Sequence, residues 1–165
     1  MEERLRVLKV MSEATSRMNL NEFARMVGLN PNQTIDHMQE LVKAGLVRKA
    51  DSGYGITEKG RATLKAFTPV PRDMEFQFYT EIGQPTGFAA KSLKDFYEIV
   101  KQVAIDSLEF HLYREDFENW IITAFKDVGF ADEFKSMKEI QLKGESLRKE
   151  IIKATEARYG FQKLL

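Results

Sequence analysis

Phe23-Ala24-Arg25-Met26-Val27-Gly28-Leu29-Asn30-Pro31 is the stretch on which the fold reading turns. Phe23, Ala24 and Val27 recur at helical spacing and form the inward face of a short helix over Glu22–Val27, capped by Asn19 or Asn21. Gly28 stops that helix, and Gly28-Leu29-Asn30-Pro31 makes the turn. Pro31 suits the first position of the next helix, because its missing N–H would be unpaired there anyway. Thr34, Met38 and Leu41 then share one face of a helix running from about Asn32 to Ala44. Upstream, Leu5, Leu8 and Met11, with Val7, Val10 and Ala14, give the three-to-four spacing of an amphipathic helix from Glu2 to about Ser16. Downstream, Gly45 ends the third helix and Leu46-Val47-Arg48-Lys49-Ala50 alternates as a strand. The turn residues Asp51-Ser52-Gly53 lead to a return over Tyr54-Gly55-Ile56, and Thr57 caps a fourth helix from Glu58 to about Phe67.

The whole chain has 165 residues, 25 basic and 25 acidic, with 43% apolar and 30% charged residues. That is enough apolar content for a core and too much for a disordered polyampholyte. The absence of cysteine excludes disulfides, thiolate catalysis and Cys-based metal sites. His37 and His111 are far apart and lack a helical partner, so no metal or other cofactor is expected. Charges interrupt every hydrophobic run, no apolar stretch of about 20 residues exists, and Met-Glu-Glu-Arg-Leu-Arg lacks the apolar segment of a signal peptide. The expected location is the cytoplasm, with no membrane partner.

The breakers Thr68-Pro69-Val70-Pro71-Arg72-Asp73 end any preceding helix. They divide the chain into a domain over 1–68, a linker over 69–73 and a second domain over 74–165. The first 68 residues carry 11 basic and 8 acidic side chains, a net of +3, which leaves −3 on the rest. That mild asymmetry suits a basic module that touches a polyanion.

Phe23-Ala24 to Gly28-Leu29, the third helix, Ala44-Gly45-Leu46-Val47-Arg48 and Ile56-Thr57-Glu58-Lys59-Gly60 together resemble an archaeal or bacterial winged helix-turn-helix domain. The resemblance implies a recognition helix, Asn32 to Lys43, in the major groove and a wing along the phosphates. Asn32, Gln33, Asp36, His37, Gln39, Glu40 and Lys43 are its exposed positions. Asn and Gln can read adenine edges, and His37 can donate to guanine or phosphate. Arg48 and Lys49, with Lys59 and Arg61 nearby, are the wing cations. Asp36 and Glu40 oppose phosphate, and a docking or dimerisation module would carry the same polar helix face without touching DNA.

In the second half, Glu75-Phe76-Gln77-Phe78-Tyr79-Thr80 alternates as a half-buried strand, and a turn over Ile82–Gly87 leads to a short strand over Phe88–Lys91. Ser92 with Asp95 resembles a capping box for a helix to about Val103. Further helices follow: one capped by Asp106 or Ser107 and running through Arg114, one capped by Asp116 from Phe117 to about Asp127 and stopped by Gly129, one over Asp132–Ile140, and one over Glu145–Tyr159 ended by Gly160. The fold expected is mainly α (α+β), a winged helix-turn-helix followed by a small helical domain with a β-hairpin.

Phe78-Tyr79, Thr86-Gly87, Ala90-x-Ser92-Leu93, the run His111-x-x-Arg114-x-Asp116-Phe117-x-x-Trp120-Ile121 and Gly144-Glu145-x-Leu147-Arg148 resemble an uncharacterised archaeal and bacterial domain family over about residues 74–150. That family brings a fold expectation and no activity. His111 and Arg114 can share a helix face and hold a small anionic effector, with Tyr79, Thr86 and Lys91 close by. The same residues also have a structural account, in which Asp116 caps a helix, Arg114 pairs with a carboxylate, His111 satisfies a buried carbonyl, and Phe117, Trp120 and Ile121 are core. Nothing in the spacing shows a nucleophile, a phosphate-cradling loop or a catalytic pair. The leading expectation is a transcriptional regulator that binds duplex DNA as a homodimer, with an interface from the first helix or from Leu147, Ile151 and Ile152. The rivals are a protein-interaction adaptor and a small-ligand-binding protein centred on His111 and Arg114.

Overall fold

The structure, a computed structural model, describes residues 2–14, 19–50 and 53–164. Its architecture is mainly α, with two small antiparallel sheets. The chain forms two compact units, residues 1–65 with 159–165, and residues 66–158.

In the first unit, α1 (Glu2–Glu13), α2 (Leu20–Val27) and α3 (Pro31–Lys43) surround a core of Val7, Leu8, Phe23, Ala24, Val27, Met38 and Leu41. Asn19 is the cap of α2, accepting from the Glu22 N–H at 2.9 Å, and Gly28 takes the left-handed conformation at φ 75°. Asn30 and Gln33 form a reciprocal capping box at the start of α3, with Pro31 in its first turn. The expected end of α1 near Ser16 and the turn residues Asp51 and Ser52 lie outside the described residues. Strands β1 (Val47–Ala50) and β2 (Gly53–Ile56) pair antiparallel, with Val47 opposite Ile56. The Thr57 hydroxyl accepts from the Gly60 N–H at 3.0 Å to open α4 (Glu58–Phe67) and donates to the Gly45 carbonyl at 2.8 Å.

Residues near the C-terminus complete this unit. Phe161 is fully buried, the Thr63 hydroxyl meets the carbonyl oxygens of Lys59 and Tyr159, and Lys163 Nζ donates to the Ala44 carbonyl at 3.0 Å.

The second unit opens with a 3₁₀ turn (Arg72–Met74), then the hairpin β3 (Phe76–Glu81) and β4 (Gln84–Ala90). The hairpin is longer than the turn-rich sequence implies. Ile82-Gly83 suffices as the loop, with Gly83 at φ 77°, and two register irregularities around Tyr79 accommodate Pro85. The Thr86 hydroxyl donates to the Phe78 carbonyl at 2.8 Å inside that irregular stretch.

Five helices follow: α5 (Leu93–Val100), α6 (Ile105–Tyr113), α7 (Asp116–Phe125), α8 (Val128–Glu139) and α9 (Gly144–Tyr159). Phe76, Phe78, Phe96, Phe117, Phe130 and Phe134 form their aromatic core. Ser92 caps α5 as expected, while the Asp95 carboxylate reaches the Lys91 N–H rather than that of Ser92. Three expected starts differ. Neither Asp106 nor Ser107 caps α6, which begins one residue before Asp106, and Ser107 is fully buried. Asp116 is the first residue of α7 and does not cap it, because Glu115 occupies the cap position in a left-handed conformation. Gly129 is not a stop. Lys126 ends α7 at φ 56°, Asp127 caps α8 by accepting from the Phe130 N–H, and Gly129 lies inside α8 beside the Arg158 guanidinium. Leu147 and Ile151 are fully buried within a single chain, so they do not form an exposed dimer seam.

Gly60 is the third residue of α4, in the first turn that Thr57 caps. A Cβ there would fall on the Leu46 carbonyl oxygen and within 2.8 Å of Ile56 Cγ1. Gly60→Ala should therefore destabilise the protein by about 1–3 kcal/mol, the usual cost of overpacking. Chemical denaturation checks it, and an unchanged or raised midpoint would contradict this packing.

Candidate functional site

The sequence singles out two groups of residues, one in each unit. On α3, Asn32, Asp36 and Gln39 are exposed, and among the described residues no side-chain bond engages them. Gln33 is occupied in the capping box, and Lys43 pairs with Glu40 at 3.2 Å on the surface. His37 is half-buried and meets Glu3 of α1 at 2.9 Å, a pairing across 34 residues that no local pattern announces. Arg48 and Lys49 are exposed on β1. Among the expected DNA contacts, Asn32, Gln39, Arg48 and Lys49 thus combine exposure and a donor suited to nucleic acid with no side-chain bond among the described residues.

In the second unit, three elements converge on His111. The Tyr79 backbone N–H of β3 donates to His111 Nε2 at 2.8 Å, and Nδ1 lies 2.8 Å from Asp116 Oδ2 at the start of α7. A backbone N–H can only donate, so Nε2 must keep its lone pair and the proton resides on Nδ1, pointing at Asp116. Arg114 Nε donates to the same Asp116 oxygen at 3.2 Å, and its guanidinium stacks over the Phe110 ring at 4.8 Å. The carboxylate is placed for this by position rather than by capping: at the first residue of α7 it stays favourable to the helix dipole and remains free to turn back to α6. Trp120, one turn further along α7, is buried, and its indole N–H donates to the Met74 carbonyl at 2.6 Å.

His111 is 3% exposed, and burial is the main cause pulling its pKa below the ordinary value. The Asp116 hydrogen bond and charge act against that, and Arg114 acts with it. Its role is therefore to accept a backbone N–H, not to serve a buried carbonyl.

Beside this cluster lies an open cleft of about 610 Å³, lined from β3 and its turn by Glu75, Phe76, Gln77, Tyr79, Ile82 and Gly83. Phe110, His111, Arg114, Asp116, Asn119 and Trp120 line it from α6 and α7. Tyr79 joins His111 and Arg114 there as expected, whereas Thr86 and Lys91 are not in its lining. Sequence reasoning missed Glu75, Gln77 and Asn119. Helical spacing could have found Asn119, which is three residues after Asp116. Alternation could have found Gln77 on the outer face of β3, with Glu75 just before the strand on the same side. Among the described residues no group of His, Asp and Glu is arranged to hold a metal, and no helix is long and apolar enough to cross a membrane.

The model of a family described as "Family of unknown function (DUF5752)" matches residues 56–156. The chain belongs to this family. The match reaches beyond the expected 74–150 at both ends, taking in α4 and most of α9, and leaves α1 to α3 outside. No curated protein and no solved structure matches the chain. Within the matched region several motif residues have structural work. Arg148 donates to the Val100 carbonyl at the end of α5 at 2.7 Å, and the Gly144 N–H donates to Glu109 Oε1 at 2.9 Å.

Removing His111 would orphan the Tyr79 N–H. His111→Ala should cost about 1–3 kcal/mol from that lost acceptor alone, measured by denaturant titration. The pH dependence has a fixed sign. Because the folded pKa lies below the unfolded value near 6.5, the unfolded chain takes up the proton first, so stability falls as the pH drops below about 6.5. His111→Gln should flatten that decline in thermal melts between roughly pH 6.5 and 5, and an identical decline in both proteins would refute the assignment.

Proposed function

We propose that the first unit binds duplex DNA and that the protein is a transcriptional regulator. The observation that carries this reading is the free outer face of α3, with Asn32 and Gln39 exposed, in the same compact unit as a hairpin that exposes Arg48 and Lys49. The succession of three helices, a two-stranded hairpin and a fourth helix fits the winged helix-turn-helix resemblance. In that arrangement α3 enters the major groove and the hairpin follows the phosphates. Asn32 and Gln39 offer the paired donor and acceptor that reads adenine, while Arg48 and Lys49 supply sequence-independent attraction. Binding as a homodimer would double the modest charge of one unit and set the half-site spacing.

One observation favours the adaptor reading instead. Asp36 and Glu40 are exposed on α3, which carries no arginine, and carboxylates facing phosphate would repel it.

Fluorescence anisotropy with mixed duplexes at low and physiological salt separates the two. The DNA reading expects micromolar, salt-dependent binding, with Arg48→Ala combined with Lys49→Ala weakening all sequences alike and lowering the salt slope by about 2. Absence of binding at low salt would favour the adaptor, and unchanged affinity in the double variant would refute the role of the hairpin.

A further inference from the structure

We propose that the cleft between β3 and the α6–α7 corner binds a short peptide with free termini, its carboxylate at Arg114 and its ammonium at Glu75. The polarity of the cleft follows from its contacts. At one end Tyr79, His111, Asp116 and Arg114 are joined by hydrogen bonds. At the other end Trp120 is bonded to Met74 and packs on Phe76, next to Glu75. Strand β3 and the first turn of α7 thus run side by side, with the cation at one end and the carboxylate at the other.

The charges are available in different ways. Asp116 is committed to His111 and Arg114, so its charge is largely spent, while among the described residues Arg114 uses only Nε and leaves its two terminal nitrogens unengaged. Glu75 has no side-chain partner among the described residues. A simple anion would meet Arg114 but gain nothing from Glu75, and a simple cation the reverse. Both ends are used only by a ligand that carries both charges at the right separation. Glu75 immediately precedes β3, and the four residue steps from it to Tyr79 span at most about 13 Å, room for an extended peptide of up to about four residues. Phe76, Tyr79, Phe110, Ile82 and Trp120 give its side chains apolar contact. The amides of Gln77 and Asn119, both exposed and without side-chain bonds among the described residues, line the cleft where they can meet peptide groups. The volume of about 610 Å³ lies within the range of small-ligand sites.

Trp120 is the sole tryptophan and lines the cleft, so its emission reports occupancy in the full chain. The probes are tripeptides and tetrapeptides with Leu, Val or Phe at inner positions, each compared with its N-acetylated and C-amidated forms. The expected result is a saturable change in emission with the free peptides, weakened about tenfold by either block, the loss of one charge-assisted contact. The C-terminal block should have no effect in Arg114→Gln, and the N-terminal block none in Glu75→Gln. Equal affinity for free and doubly blocked peptides would overturn the proposal, as would no saturable change up to about 10 mM, the limit of weak specific binding. The comparison of blocked and free probes on the unmodified protein decides the matter even if a variant fails to fold.

Discussion

The position of one proton organises the second unit. His111 joins β3 to α7 only while Nδ1 carries the hydrogen and Nε2 does not, because the Tyr79 amide can offer nothing but a donor. Adding a second proton would set N–H against N–H in a buried aromatic setting of Phe76, Phe78 and Phe117. The environment resists this: burial disfavours the imidazolium more strongly than the neighbouring carboxylate favours it. Asp116 can therefore spend its charge on Arg114, and the two contacts tie the corner between α6 and α7.

That corner also explains why the cleft is open. Glu115 adopts φ 66°, a conformation uncommon for a residue with a side chain, and turns the chain sharply enough to bring Asp116 back under His111. Arg114 is left at the rim, half-exposed and braced by Phe110. Residues that read as a ligand-binding motif in the sequence thus hold each other first, and what they leave free, two guanidinium nitrogens, faces outward.

The first unit was legible in its residues because its signals are local. Asn19, Gly28, Pro31, Gly45 and Thr57 punctuate helices within a few positions of themselves, and Thr34, Met38 and Leu41 show the buried face of α3 directly. In the second unit the same local rules misplaced helix starts where tertiary contacts took over. Asp116 looks like a cap but is drawn away by His111 and Arg114. Gly129 looks like a stop but sits where Arg158, tied to Asp127, leaves little room for a side chain. The His111 cluster was half visible: its i, i+3 spacing gave Arg114 and the run gave Asp116, but the partner at Nε2 is a backbone amide, which no side-chain pattern can encode. Glu3–His37 was hidden for a related reason, since a contact across 34 residues depends on how α1 crosses α3.

The return of residues 159–164 to the first unit sets an order on assembly. A ribosome delivers α1 through α4 early, yet the buried Phe161 and the carbonyl that meets Thr63 are made almost a hundred residues later. The second unit, whose segment 66–158 is contiguous, can close on its own contacts as it emerges. The first unit must wait, its core short of Tyr159, Phe161 and Leu164, until that later segment has been synthesised. The half of the chain made first is therefore the half finished last.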